Sequence, residues 1–169
     1  MKVNVPVDYF KTPINKYTFK SKDIRLWVEY LCKGKLTLNL YAGCTKLNIN
    51  EIRNDSNKEM PADYHYDAVD FCRYFIQFGG VFDAVVLDPP YSERKSMKFY
   101  DGHKRSRFNI VLDLLPTMLT ENGIVITFGY NSNVMGKTRN FKLERLGMFC
   151  HGGAIHDTIA AVERRNKQC

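Results

Sequence analysis

The stretch Phe82-Asp83-Ala84-Val85-Val86-Leu87-Asp88-Pro89-Pro90-Tyr91 limits what this chain can become more than any other. Ala84–Leu87 is a short apolar, partly β-branched run, the pattern of a strand buried on both faces. It stops at an acid, two prolines and a tyrosine. Proline cannot continue a ladder and has no backbone N–H, so the strand must end there. What is left at its carboxyl end is a carboxylate, bare carbonyl oxygens and an aromatic face. Ligands of open α/β sheets bind at that edge. The set suits a flat ring with an exocyclic amine, whose hydrogens Asp88 and a proline-rigidified carbonyl accept while Tyr91 stacks on the ring.

Around this corner, strand and helix patterns alternate. Residues 1–20, with Pro6 and Pro13, read as irregular. Ser21 is a candidate N-cap for a helix with Ile24, Trp27, Val28 and Leu31 on one face, closed by Gly34. Leu36–Tyr41 reads as a strand delivering Ala42-Gly43-Cys44-Thr45, and Ile49–Asn54 as a weaker one ending at Asp55. Tyr64-His65-Tyr66 is a short strand candidate. Asp67 then caps a helix whose buried face carries Ala68, Phe71, Cys72 and Phe75, stopped by Gly79-Gly80. A basic loop follows Tyr91, then a helix with Phe108, Val111, Leu112 and Leu115 on one face, ended or kinked by Pro116. Asn122-Gly123 reads as a turn, Ile124–Phe128 as a buried strand, and residues 131–137 as a short helix. Leu143–Cys150 and Thr158–Val162, joined through Gly152-Gly153, are spaced to pair as an antiparallel hairpin. Strands alternating with helices predict a three-layer α/β fold in a single domain over 1–169.

Composition narrows the class. Hydrophobic residues make up 44% and charged residues 25% of the 169, the proportions of a globular protein. No apolar run approaches the ~20 residues that span a bilayer. The N-terminal residues Met1–Pro6 lack the apolar core of a secretory signal. The expectation is an intracellular, cytoplasmic protein without a membrane partner (host cytoplasm, for a viral chain). The five cysteines, Cys32, Cys44, Cys72, Cys150 and Cys169, are scattered without a CxxC pair, so they read as free thiols rather than a zinc or disulfide framework. His151 and His156, near Cys150, do not make a metal site. Net charge is +7, which favours a polyanionic partner. Arg94, Lys95, Lys98, Lys104, Arg105 and Arg107 all fall just after Tyr91. They are either a solvated loop or contacts to nucleic-acid phosphates.

This order of motifs resembles the class I S-adenosylmethionine-dependent methyltransferases, and most closely the amino-methyltransferases of DNA adenine. Leu38-Asn39-Leu40-Tyr41-Ala42-Gly43 is similar to the family's first glycine motif. Asn54-Asp55 is similar to its second, acidic motif and Asp67-Ala68 to its third. Asp88-Pro89-Pro90-Tyr91 matches the catalytic one, and Lys16-Tyr17-Thr18 loosely resembles a cofactor motif upstream of the glycine. The resemblance implies a Rossmann-like, mostly parallel sheet ending in the antiparallel hairpin. It implies S-adenosylmethionine as cofactor, held by Tyr17, Thr18, Tyr41, Ala42, Gly43, Thr45, Asp55, Asp67 and Ala68. It also implies Asp88, Pro89, Pro90 and Tyr91 as the catalytic set, and adenine N6 of DNA as acceptor. Asp67 serves equally well as a plain N-cap.

Two departures matter. Thr45 stands where the family has its second glycine. Only residues 44–54 are left between Gly43 and Asp55 for a crossover plus a strand, where a parallel connection normally takes a dozen or more. The first crossover helices must therefore be truncated, and residues 1–35 or a second subunit should cover that face of the sheet. Neither flank of the catalytic corner has room for a separate target-recognition domain. Two alternatives stay open: an RNA base amino-methyltransferase, and a catalytically inactive module that binds nucleic acid. A homodimer also stays open.

Overall fold

Burial on both faces places the Ala84–Leu87 run at the middle of the sheet. The computed structural model describes residues 4–90, 97–100, 103–153 and 156–167. In chain order the strands are β1 (Val7–Lys11), β2 (Thr37–Asn39), β3 (Glu51–Arg53), β4 (Phe82–Leu87), β5 (Met97–Tyr100), β6 (His103–Ser106), β7 (Leu119–Gly129), β8 (Phe141–Cys150) and β9 (Thr158–Arg165). The helices are α1 (Lys22–Leu31), α2 (Ala68–Gln77) and α3 (Arg107–Met118). Seven strands share one sheet in the order β1-β8-β9-β7-β4-β2-β3, and β5 and β6 form a separate antiparallel pair. β3, β2, β4 and β7 run parallel, so their carboxyl ends share one edge. β9 is antiparallel to both β7 and β8, as the terminal hairpin predicts.

The two faces of β4 feed two cores. Ala84 and Val86 join Ile24, Trp27 and Val28 of α1, with Phe19 and Leu47, on one face. Val85 and Leu87 join Phe71 and Cys72 of α2 and Val111, Leu112 and Leu115 of α3 on the other. Each large apolar side chain so buried contributes about 1.5–3 kcal/mol. No helix spans residues 40–50 between β2 and β3; α1 covers that face instead, as the short crossover requires. Ser21 precedes α1 but makes no capping bond. Its hydroxyl instead shares a hydrogen bond with Thr12 Oγ1 at 2.8 Å. A cap is worth about 1 kcal/mol, less than the burial of Ile24, Trp27 and Val28, so packing holds α1 without it.

Several expectations need correction. Residues 7–11 are not irregular: β1 adds a parallel edge strand to β8. Its neighbours Pro6 and Pro13 hide it from a local reading, and its partner lies far along the chain. Part of the basic loop is the β5–β6 hairpin. Asn122-Gly123 lies inside the span of β7, where register slips between Phe82↔Leu119 and Ala84↔Ile124, so the turn residues are looped out of the ladder. The expected helix at 131–137 is a 3-10 turn at Lys137–Arg139. Tyr64 makes a single parallel bridge to Asn54 in place of a strand. Asp67 caps α2 by accepting from Val69 N at 3.0 Å, and α3 ends two residues past Pro116.

Candidate functional site

Because β2, β3 and β4 are parallel neighbours, Tyr41-Ala42-Gly43, Asn54-Asp55 and Asp88-Pro89-Pro90 emerge side by side. All of these except the buried Asn54 line a cleft of about 460 Å³, within the range of about 300–1,000 Å³ usual for small-molecule sites. Tyr17, Thr18 and Thr45 line the same cleft, as do Lys16 and Phe19. The sequence therefore identified three strand ends and an upstream segment, and the fold brings all four together.

Gly43 is the tightest constraint in the cleft. Its φ of +59° is one that L side chains rarely adopt, and a Cβ built there meets nothing within 4 Å. The backbone is bare towards open space, as close approach by a ligand requires. Its turn is held from below. Gly43 N donates to Asp55 Oδ2 at 2.8 Å, and Asp55 Oδ1 accepts from Asn57 N at 2.9 Å. Arg53, only 4% exposed, donates from Nη2 to Gly43 O at 3.0 Å and Ala42 O at 3.4 Å. Its Nη1 donates to Pro61 O. The Glu51 carboxylate, 3.4 Å from Arg53 Nε, accepts from Leu47 N at 2.9 Å and Asn39 Nδ2 at 3.1 Å. Burial pushes the Glu51 carboxyl above its ordinary value. Among described residues Asn140 alone, apart from glycines, has positive φ. Thr45 thus sits in the turn without the conformation that its replacement of a glycine would have forbidden.

Tyr17 is held by charge. The ammonium groups of Lys16 and Lys20 lie 5.4 and 5.3 Å from its ring centroid, a cation–π arrangement. Cys44, Ser56, Asn57 and Met60 also line the cleft, and sequence reasoning missed them. Arg53 was missed as well. Its only signal was a charged residue inside a strand with no room for a solvated face.

Two expected cofactor residues lie elsewhere. Asp67 and Ala68 do not line the cleft: Ala68 is buried in the core on the α2 side, and Asp67 caps α2 and pairs with Arg107. That ion pair also occupies Arg107, one of the expected phosphate contacts. Lys98 falls on β5 and Lys104 and Arg105 on β6. Tyr91, Arg94 and Lys95 lie outside the described residues.

A second, smaller cavity of about 150 Å³ adjoins the first. Thr18, Asp88, Pro89, Phe128, Gly129, Tyr130 and Thr158 line it. Asp88, Pro89 and Thr18 thus line both cavities, so the acid at the end of β4 stands on the partition between them.

No protein-family model matches the chain, and no curated protein matches it either. Solved structures do. A methyltransferase candidate of Escherichia coli, yhhF, is 12% identical with a TM-score of 0.62, covering 92% of this chain and 90% of its own. The N-methyltransferase NodS of Bradyrhizobium japonicum is 14% identical with a TM-score of 0.54, covering 86% and 94%. A SAM-dependent methyltransferase of Agrobacterium tumefaciens is 12% identical with a TM-score of 0.55, covering 85% and 61%. The chain spans between 48% and 61% of three of its structural neighbours. At these identities the likeness establishes the Rossmann-like methyltransferase fold.

Proposed function

We propose that this protein transfers a methyl group from S-adenosylmethionine to the exocyclic amine of a nucleic-acid base, adenine N6 in DNA. The observation that carries the reading is the shared corner: Asp88 and Pro89 line both the larger cleft and the small cavity. The larger cleft fits the cofactor in size and chemistry. Gly43 leaves open space, and Asp55, although bonded to Gly43 N and Asn57 N, keeps lone pairs for the ribose hydroxyls. Tyr17, Thr18, Tyr41, Ala42 and Thr45 supply the remaining walls. The solved neighbours, two described as SAM-dependent methyltransferases and one as complexed with SAH, support the same cofactor.

When bound, S-adenosylmethionine supplies a methyl group on a positively charged sulfur. The protein's part is to present the acceptor. An aromatic amine is a poor nucleophile because its lone pair is delocalised into the ring. Asp88 and the Pro89 carbonyl each accept one of its hydrogens, which draws the nitrogen towards a pyramidal shape and frees the lone pair. Positioning and electrostatics supply the rate, without a covalent intermediate. Asp88 does not need to be a strong base, since the methylated amine is itself more acidic. Pro90 rigidifies the corner, Tyr91 stacks on the base, and Arg94, Lys95, Lys98, Lys104 and Arg105 contact phosphates.

The test is methyl transfer from labelled cofactor to DNA and to RNA, followed by nucleoside analysis. N6-methyldeoxyadenosine is the expected product; a methylated guanine from RNA would replace the acceptor while keeping the chemistry. Asp88→Ala should lower turnover by about 10²–10³ while cofactor affinity, read by calorimetry, stays within a few-fold. Absence of any cofactor binding by the wild-type protein would reject the enzyme reading in favour of a nucleic-acid-binding module.

A further inference from the structure

The crossover after β2 has no helix, and that leaves hydrogen bonds to be made at the glycine turn. In an α-helix each carbonyl accepts from the N–H four residues on, so a helix starting there would pair Ala42 O and Gly43 O. Here residues 42–50 hold only turns, bends and irregular backbone, and among the described residues no backbone N–H donates to either oxygen. Arg53 supplies the donors instead. Its Nη2 donates to Ala42 O at 3.4 Å and to Gly43 O at 3.0 Å, while Nη1 donates to Pro61 O. Pro61 follows Met60, which lines the larger cleft with Gly43, Ser56 and Asn57. One guanidinium thus ties the glycine turn to the loop over residues 56–61. It is itself fixed: Arg53 N donates to Asp63 Oδ2 at 2.8 Å, and the fully buried Glu51 carboxylate lies 3.4 Å from Nε.

We propose that Arg53 is a positioning residue for S-adenosylmethionine, taking the place of the absent crossover helix and setting the spacing of the two wall segments it bridges. This rests on the reading of the larger cleft as the cofactor site. Arg53 does not line that cleft; it acts through the turn. The guanidinium holds the Gly43 carbonyl, and Asp55 Oδ2 accepts from the Gly43 N–H at 2.8 Å. The turn and the acid assigned to the ribose are therefore set together. This task needs a fork rather than a charge. Nη1 and Nη2 are separate nitrogens at a fixed spacing, and between them they serve three carbonyls. A lysine carries all its donors on one atom and cannot span the two segments. It does keep a positive charge for Glu51, so Arg53→Lys separates geometry from charge.

S-adenosylhomocysteine, which has no methyl group to transfer, is the probe, and its affinity is read by calorimetry. Arg53→Lys should weaken binding about tenfold, the equivalent of one charged hydrogen bond. Arg53→Met/Glu51→Gln removes both members of the ion pair, so that no buried charge is left alone. It should stay folded at the assay temperature, read by circular dichroism, and bind as weakly as Arg53→Lys. In methyl transfer at saturating acceptor, the KM for S-adenosylmethionine should rise by a similar factor while kcat changes less than about threefold. Loss of folded protein would do the reverse, lowering the apparent kcat and leaving KM alone. A folded variant of either kind that binds within about twofold of wild type, or a loss confined to kcat, would overturn the proposal. Wild-type protein that binds no S-adenosylhomocysteine would instead remove the cofactor reading, and the proposal with it.

Discussion

At Gly43, backbone conformation and ligand access make the same demand. A left-handed φ of +59° with nothing near the missing Cβ means that alanine meets no clash but a conformational penalty, about 1–2 kcal/mol for an L residue. Gly43→Ala should cost about that much in urea denaturation. It should also weaken S-adenosylmethionine binding, because the added methyl projects into space the ligand needs. A variant as stable as wild type with unchanged cofactor affinity would show that the cleft is used differently. Beneath the glycine, the buried Arg53 ties two carbonyls of the turn to the Glu51 carboxylate. The glycine and Asp55 were legible in the sequence because a strand followed by a small-residue turn and a strand followed by an acid are local patterns. Arg53 was not, because its partners, Ala42, Gly43 and Pro61, come from two separate loops.

Among the elements, β1 shows how little local sequence says about an edge strand. Its side chains alternate only between exposed and half-buried, and it is held as much by a polar tie as by burial. Asp8 accepts from Trp27 Nε1 at 2.8 Å and from Arg145 Nη1 at 2.9 and 2.7 Å, joining β1 to α1 and β8. Burial raises the Asp8 carboxyl, but the Trp27 and Arg145 hydrogen bonds outweigh it and hold the group below its ordinary value of 3.8. A depressed carboxylate contributes stability that is complete above its unfolded value and is lost as pH falls through the folded one. Wild type should therefore lose stability below pH 3.8, and Asp8→Asn should lack that part of the decline. Thermal melts of both proteins across the acid range check this. Parallel wild-type and variant curves would mean that the tie carries no stability.

At the scale of the whole molecule, the described residues place one buried thiol in each core layer. Cys32 lies with α1 on one face of the sheet and Cys72 with α2 on the other. Burial pushes Cys32 up to about 11 and Cys72 up to about 12, so neither presents appreciable thiolate at neutral pH. Cys44 and Cys150 are half-buried, and Cys44 lines the larger cleft. Iodoacetamide followed by peptide mass analysis should modify Cys44 and Cys150 before Cys32 and Cys72, which it should reach only on unfolding. S-adenosylmethionine should slow Cys44 without slowing Cys150. Rapid alkylation of Cys32 in the native protein would contradict the packing of α1 on the sheet.

From its sequence alone this chain was bound to a parallel α/β sheet with a ligand edge. A doubly buried β4 needs layers on both faces, and Asp88-Pro89-Pro90 must end it because proline cannot continue a ladder. Spacing alone also forced the crossover after β2 to lack its helix. Only the tertiary structure decided that Asp88 stands between two cavities and that Asp67 and Ala68 stay out of the cleft. It alone joined β1, β8 and β9 so that Thr12, His151 and Thr158 meet. Those outcomes depend on contacts between residues far apart in the chain, and local periodicity carries no record of them.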